Sequence, residues 1–328
     1  MKTLLLAAAL AAASIGVARA QPSSTGSGQA YPSKPVRVIV GFPAGGGVDI
    51  TARIFTSKLS EIWGSPILVE NRSGAGSTVA ADLVVKSPPD GYTLMLVSIA
   101  SHGIAPSMYS KLPYDTIKDF APISLIGTTP NVLNVHPSLP ARSVGEFIAL
   151  AKANPGKIQY GSSGIGTSPH LSMELFKMMA GIDIFHVPYK GGAPALADLM
   201  GGHVSAMLGN LPEQIGAIKS GKIRAIGISS VKRSPLLPNV ATIAESGVPG
   251  FEVTVWYGVA APAAVPKQVL EKIHADMIKA LKMQDLQQRL LEQGIDPAPT
   301  TPEQFAAFIR SEIARWAKVA KASGAAAQ

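Results

Sequence analysis

The 328-residue chain contains no cysteine, which rules out disulfides and a lipid anchor on a first mature Cys. The missing thiols suit an oxidising compartment. Charge is also sparse, at 15% of residues. The lysines and arginines are scattered, and no basic run is interleaved with aromatics, so nucleic acid is not an expected partner. Six histidines, at 102, 136, 170, 186, 203 and 274, show neither H-x₃-H nor H-E-x-x-H spacing, and no metal site is expected. Beyond the N-terminal segment no apolar run approaches the length of a membrane span.

What is present begins with that segment. Lys2 precedes an apolar run from Leu4 to Val17, and Ala18-Arg-Ala20 offers small residues where a signal peptidase reads. The run is shorter than the roughly 20 residues of a span and has no strongly basic flank after it. A signal peptide over 1–20, cleaved after Ala20, is expected, with a periplasmic destination. Removing Lys2 and Arg19 leaves 27 basic against 21 acidic side chains, a net +6 that mildly favours anions. Residues 21–30 have no apolar periodicity and read as a flexible tether.

From Tyr31 onward, short β-branched runs alternate with helical patterns, as in an α/β sheet protein. The predicted strands include 36–42, 67–70, 93–98, 123–127, 132–135, 158–161, 184–189, 204–208, 223–229 and 256–260. Most are continuously apolar and so expected to be buried on both faces. Ser143-Val-Gly-Glu146 and Thr301-Pro-Glu-Gln304 have the form of capping boxes. A chain of nearly 300 residues suits two domains, and without a Gly/Ser linker these would be joined by strand-like crossings.

Two loops carry the chemistry. In the first, a strand ends at Phe42, glycines follow at 45, 46 and 47, and a helix with Ile50, Ile54 and Ile62 on one face begins. Such a turn aims backbone N–H groups and a helix N-terminus at one point, which suits an anion. No Lys follows Gly47 as a P-loop requires, and Ile50 stands where G-x-G-x-x-G needs glycine, so no nucleotide cofactor is expected. The second loop, Tyr160-Gly-Ser-Ser-Gly-Ile-Gly-Thr-Ser-Pro-His170, has the same strand–loop–helix setting. Ser168 is its expected N-cap, with Pro169 at the first helical position. Ser162, Ser163 and Thr167 add neutral donors, which bind a carboxylate without costly buried counter-charges.

Asp49, in the first helical turn, would repel an anionic ligand and is assigned to fixing its loop from behind. Phe42 and Tyr189 are candidate apolar walls. The enzymatic alternative is a secreted α/β hydrolase acting on a carboxylate ester. The nucleophile elbow fails, because Gly161-Ser-Ser-Gly164 is followed by Ile165. Ser98, His102 and Asp49 have no local signature of a triad. A non-catalytic role is expected.

Phe42-Pro-Ala-Gly-Gly-Gly-Val-Asp49, Glu70-Asn-Arg-Ser-Gly-Ala-Gly76, Pro89-Asp-Gly-Tyr-Thr-Leu94, Tyr160-Gly-Ser-Ser-Gly164, His186-Val-Pro-Tyr-Lys-Gly-Gly192 and Gly201-Gly-His-Val204 together resemble the Bug-type receptors of tripartite tricarboxylate transporters. The similarity is collinear over residues 31–323. It implies a two-domain Venus-flytrap fold of the type II-like periplasmic binding proteins, with the ligand cleft between domains 31–128 plus 226–328 and 129–225. It also implies a monomeric receptor that closes on a small mono-, di- or tricarboxylate and hands it to the membrane permease subunits. The family grips its ligand with the loops from both domains. The candidate contacts are therefore Phe42, Pro43, Ala44, Gly45, Gly46 and Asp49 in the first loop, and Ser162, Ser163, Gly166, Thr167, Ser168 and His170 in the second. Ser98, Tyr189 and Asn210 are added at neighbouring strand ends. The chain departs from the family at Gly209, where Asp is common, which is expected to leave room for a bulkier or more anionic acid.

Overall fold

The computed structural model describes residues 31–325; the expected signal peptide and the tether lie outside them. In chain order the elements are β1 (Val36–Val40), α1 (Gly47–Trp63), β2 (Ile67–Asn71), α2 (Thr78–Val85), β3 (Thr93–Ser98), a π-helical turn (Ile99–Ile104), α3 (Ala105–Met108), β4 (Phe120–Val135), α4 (Val144–Ala153), β5 (Gln159–Ser162) and α5 (Ser168–Ala180). They continue with β6 (Phe185–Pro188), α6 (Gly192–Met200), β7 (Ala206–Asn210), α7 (Leu211–Lys219), β8 (Arg224–Ile228), β9 (Thr254–Pro262), α8 (Lys267–Leu281), α9 (Gln284–Leu291), β10 (Asp296–Pro297) and α10 (Pro302–Ser323).

One long strand organises the molecule. Through Pro130, β4 pairs with β9 and, at Gly127 and Thr128, with β10; from Asn131 it pairs with β7, and from Val132 also with β8. The first sheet runs β2-β1-β3-β9-β4 and the second β8-β4-β7-β5-β6. In each, parallel strands (β1 with β2 and β3; β5 with β6 and β7) lie beside antiparallel ones. The predicted strands 123–127 and 132–135 are thus one strand of 16 residues. Thr128-Thr-Pro-Asn131 reads as a break, yet Thr128 and Pro130 lie opposite Trp256 and Thr254 in the β9 register.

All six residues of β3 are buried, as are Val38, Ile39 and Val40 of β1. These continuous apolar strands are covered by helices on both faces. The Trp256 ring, wholly buried, meets Phe305 and Phe308 of α10 edge-on at 5.8 and 5.5 Å and donates from Nε1 to Glu312 at 3.0 Å. Helix ends follow their signals. Thr301 and Gln304 form the full reciprocal box at α10. At α4, Ser143 Oγ accepts from the Glu146 N–H at 3.2 Å, but the Glu146 carboxylate reaches back to the Arg142 N–H instead. Helix α5 begins one residue earlier than predicted: Thr167 is its N-cap, Ser168 is already helical, and Pro169 holds the second position.

Candidate functional site

Four strands end at one place and each hands over to a helix whose first turn faces the others. These helices are α1 at Gly47, α5 at Ser168, α6 at Gly192 and α7 at Leu211. Ligands of open α/β sheets sit outside such strand ends. Between them lies a small cavity of about 20 Å³, lined by residues from both sheets. That is room for about one water. Gly47 and Val48 line it from α1, Ser168 and Pro169 from α5, Gly192 from α6 and Glu213 from α7, together with the N-caps Gly46, Thr167 and Asn210. Phe42, Ser98, Ile99, Ala100, Ser163, Val255 and Tyr257 complete the wall. The first N–H groups of a helix have no partner within it, and its N-terminus carries a fractional positive charge. No Lys, Arg or His belongs to the lining, so attraction for an anion there has to come from backbone N–H groups and helix ends.

The first loop is held from behind, as the sequence suggests. The Asp49 carboxylate accepts from the Gly45 N–H at 3.0 Å, Arg53 Nε at 3.0 Å and Asn71 Nδ2 at 2.9 Å. Burial alone would push this carboxyl up, but those hydrogen bonds outweigh it and hold the group below the usual range. Gly45 has φ +80, a conformation that favours glycine. At Gly47 a Cβ would stand 2.7 Å from the Tyr257 hydroxyl, so only glycine lets β9 approach α1 this closely.

In the second loop the hydroxyls have divided their work. Ser162 Oγ accepts from the Gly164 N–H at 3.1 Å and lies 2.7 Å from His186 Nε2, away from the cavity. The His186 ring stacks on His170 with centroids 4.3 Å apart. Burial lowers His170 to about 4 and His186 to about 3, so both are neutral at pH 7. His170 Nδ1 accepts from the Gly166 N–H at 3.3 Å. Thr167 Oγ1 donates to the Gly164 carbonyl at 2.6 Å, and Ser168 Oγ to Asn210 Oδ1 at 3.2 Å. The buried Ser163 Oγ has no hydrogen-bond partner, and the same is true of the Tyr257 hydroxyl.

Of the candidate contacts, Phe42, Gly46, Ser98, Ser163, Thr167, Ser168 and Asn210 line the cavity. Pro43, Ala44, Gly45, Asp49, Ser162, Gly166, His170 and Tyr189 do not line it. The Tyr189 hydroxyl donates to Asp198 at 2.6 Å. Gly209 frees no space: a Cβ there would fall 2.2 Å from Gln214 Nε2 and 2.7 Å from Met207 Cε. The room left by the missing side chain is filled by Gln214, whose Oε1 accepts from Asn134 Nδ2 at 2.6 Å. The expected allowance for a larger acid is therefore corrected.

Glu213 and Tyr257 were not anticipated. Glu213 is the third residue of α7 in a capping box with Asn210. Its Oε1 accepts from the Asn210 N–H at 3.3 Å, and its Oε2 from the Gly47 N–H at 3.1 Å. Burial raises its carboxyl to about 7, against the pull of those two N–H groups.

The residues invoked for a hydrolase are not arranged for it. His102 is wholly buried, with Nδ1 on Ser101 and Nε2 unpartnered, while Asp49 is committed to Gly45, Arg53 and Asn71. Among the described residues no hydrogen bond joins His186 to a carboxylate. Among the same described residues no group of three or more His, Asp or Glu side chains stands ready for a metal ion, and no helix is long and apolar enough to cross a membrane.

Comparison with known proteins places this geometry. The family model "Tripartite tricarboxylate transporter family receptor" matches residues 51–325. A protein encoded in the tcbD–tcbE intergenic region of Pseudomonas sp. strain P51 is 40% identical over 310 residues, covering 93% of this chain and 91% of its own. BugT of Bordetella pertussis is 37% identical, over 96% of this chain and 97% of its own. Among solved structures, R. palustris Rpa4515 with adipate superposes with a TM-score of 0.88 at 38% identity, over 90% of this chain and 99% of that one. The periplasmic binding protein BugD gives 0.87 at 33%, over 91% and 100%. MatC from Rhodopseudomonas palustris with bound malate gives 0.84 at 32%, over 88% and 99%. The α/β architecture is thus that of a two-domain periplasmic binding protein, and the chain belongs to the Bug-type receptors of the tripartite tricarboxylate transporter family.

Proposed function

We propose that this solute-binding receptor captures a small carboxylate in the cavity between its two sheets and delivers it to the membrane permease of a tripartite tricarboxylate-type transporter. The observation that carries the reading is the meeting of four helix N-termini around a pocket with no cationic side chain. A carboxylate placed there receives backbone and hydroxyl hydrogen bonds and meets the positive ends of the helices. Ser163 Oγ and the Tyr257 hydroxyl, both buried without a partner, are the side-chain donors left for it. Unpaired buried hydroxyls cost free energy that a ligand would recover. The relatives with bound adipate and malate support the same ligand class.

A cavity of about 20 Å³ is too small for either acid. The two halves therefore separate to admit ligand and close around it, shifting an open–closed equilibrium by the ligand's differential affinity. The crossing segments are the hinge of this reading. One is β4 at Pro130–Asn131, where pairing passes from β9 to β7. The other follows β8, since Arg224–Ile228 pairs with the second half of β4, which supports a division near 229 rather than 226. Export and cleavage after Ala20 belong to the same proposal.

The test is a thermal-shift screen of the mature protein against adipate, malate, citrate and benzoate, with sugars and amines as controls. A ligand at 100 times its Kd stabilises by about 2.7 kcal/mol. Stabilisation by at least one carboxylate is expected; a response confined to sugars or amines would refute the anion site.

A further inference from the structure

Glu213 is the only carboxylate among the residues lining the cavity, and it occupies the place where an anionic ligand is expected. One oxygen takes the Gly47 N–H of α1 and the other the Asn210 N–H before α7, so it spans the cleft between the two sheets. The surroundings are shaped to receive it. A Cβ at Gly192 would lie 2.1 Å from Glu213 Oε2, and one at Gly46 would lie 3.8 Å away. Two glycine positions thus face this one carboxylate. We propose that Glu213 is the specificity-determining group of the cleft: it shares the N–H groups with an incoming carboxylate only when it carries a proton itself, so that the acid is captured together with one proton. This rests on the carboxylate reading of the cavity given above.

The chemistry follows from crowding two like charges into one closed space. Two carboxylates sharing a site cannot both stay ionised, and one of them takes up a proton. The protonated carboxyl keeps an oxygen that accepts an N–H and gains an O–H that donates to the ligand's oxygen. The balance is Glu213 carboxylate, ligand carboxylate and a solvent proton going to a carboxylic acid hydrogen-bonded to a carboxylate. No covalent bond to carbon changes. The groups facing Glu213 offer no competing cation: Gly46 and Gly47 from α1, Gly192 from α6, Asn210 from β7 and Tyr257 from β9. Tyr257 is the one other titratable group among them. Its hydroxyl is pushed well above its ordinary value by burial and then by Glu213, so it stays neutral. Asp49, on α1, turns outward to Arg53 and Asn71, and Lys190, ahead of α6, is exposed. Desolvation already raises Glu213 to about 7 before any ligand arrives.

The experiment is calorimetric titration of the mature protein with adipate and with malate, plus any other carboxylate that responds in the thermal screen. It is run at pH 5.5, 7 and 8, at each pH in two buffers of different ionisation enthalpy. Buffer dependence counts the protons taken up. The wild type is expected to take up about one proton per ligand at pH 8 and few at pH 5.5, with affinity falling about tenfold per pH unit above 7. In Glu213→Gln the uptake disappears and the affinity no longer changes with pH. Binding by the wild type without proton uptake at pH 8, or the same uptake in the variant, overturns the inference and leaves the carboxylate site standing. Failure of every carboxylate to bind at any of these pH values removes the carboxylate site, and this inference with it. The proton count needs only the wild type, so it decides the question even if the variant does not fold.

Discussion

At the scale of single residues, the two hydroxyls of the second loop make different claims. Ser163 Oγ is buried, unpartnered and on the cavity wall, whereas the Thr167 hydroxyl is spent on the Gly164 carbonyl at 2.6 Å. Ser163→Ala is therefore expected to lose one charge-assisted bond to a bound carboxylate. That is worth roughly 1.5 to 3 kcal/mol, or about ten- to a hundredfold in Kd, with little change in unliganded stability. Thr167→Ala removes a loop bond and is expected to lower stability by about 1 kcal/mol, with the smaller effect on affinity. Calorimetry and urea denaturation of both variants check this; equal affinity losses would return Thr167 to the ligand's first contacts. Ser163 is legible in the sequence as a candidate, standing between a strand and a helix among glycines. That Thr167 is occupied is not legible there, since it depends on the Gly164 carbonyl turning back at φ +118. Tyr257 left no signal at all. It lies inside an apolar strand, and its place beside Gly47 comes from β9 pairing between β3 and β4, far away in sequence.

At the scale of elements, the strand–glycine–helix units were legible because the apolar run, the glycines and the helical periodicity are adjacent in the chain. Helix α7 carries a comparable signal: Asn210-Leu-Pro-Glu213, like Thr301-Pro-Glu-Gln304, has a polar N-cap, a proline in the first turn and an acceptor at the third helical position. β4 resisted reading because Pro130 suggests an end where pairing merely passes from one partner strand to another. The α7 capping box has a consequence for stability. The Glu213 carboxyl is raised from 4.5 to about 7 on folding. Between those values the folded protein holds a proton that the unfolded chain has released. Stability contributed by the protonated group is thus full below pH 4.5 and is lost as pH rises to 7, by an amount on the order of 3 kcal/mol. Urea midpoints at pH 5 and pH 8 should show this loss in the wild type and a smaller one in Glu213→Gln. An identical pH dependence in the two proteins would mean that Glu213 titrates as it does in the unfolded chain.

At the scale of the whole molecule, the two sheets share β4 and close over a cavity with space for about one water. The halves approach closely at a glycine: a Cβ at Gly191, ahead of α6, would lie 2.8 Å from the ring of Pro43, ahead of α1. Small-angle scattering of the mature protein with a saturating carboxylate should give a smaller radius of gyration than without ligand. An unchanged profile under proven saturation would mean a rigid site. The central claim is that the backbone at four helix N-termini, rather than any cationic side chain, recognises negative charge. The most direct measurement is calorimetric titration with the carboxylate that stabilises the protein most and with its uncharged amide, at pH 6 and equal ionic strength. The acid is expected to bind at least a hundredfold more tightly, as loss of two charge-assisted bonds implies, whereas equal affinity for acid and amide would contradict the account.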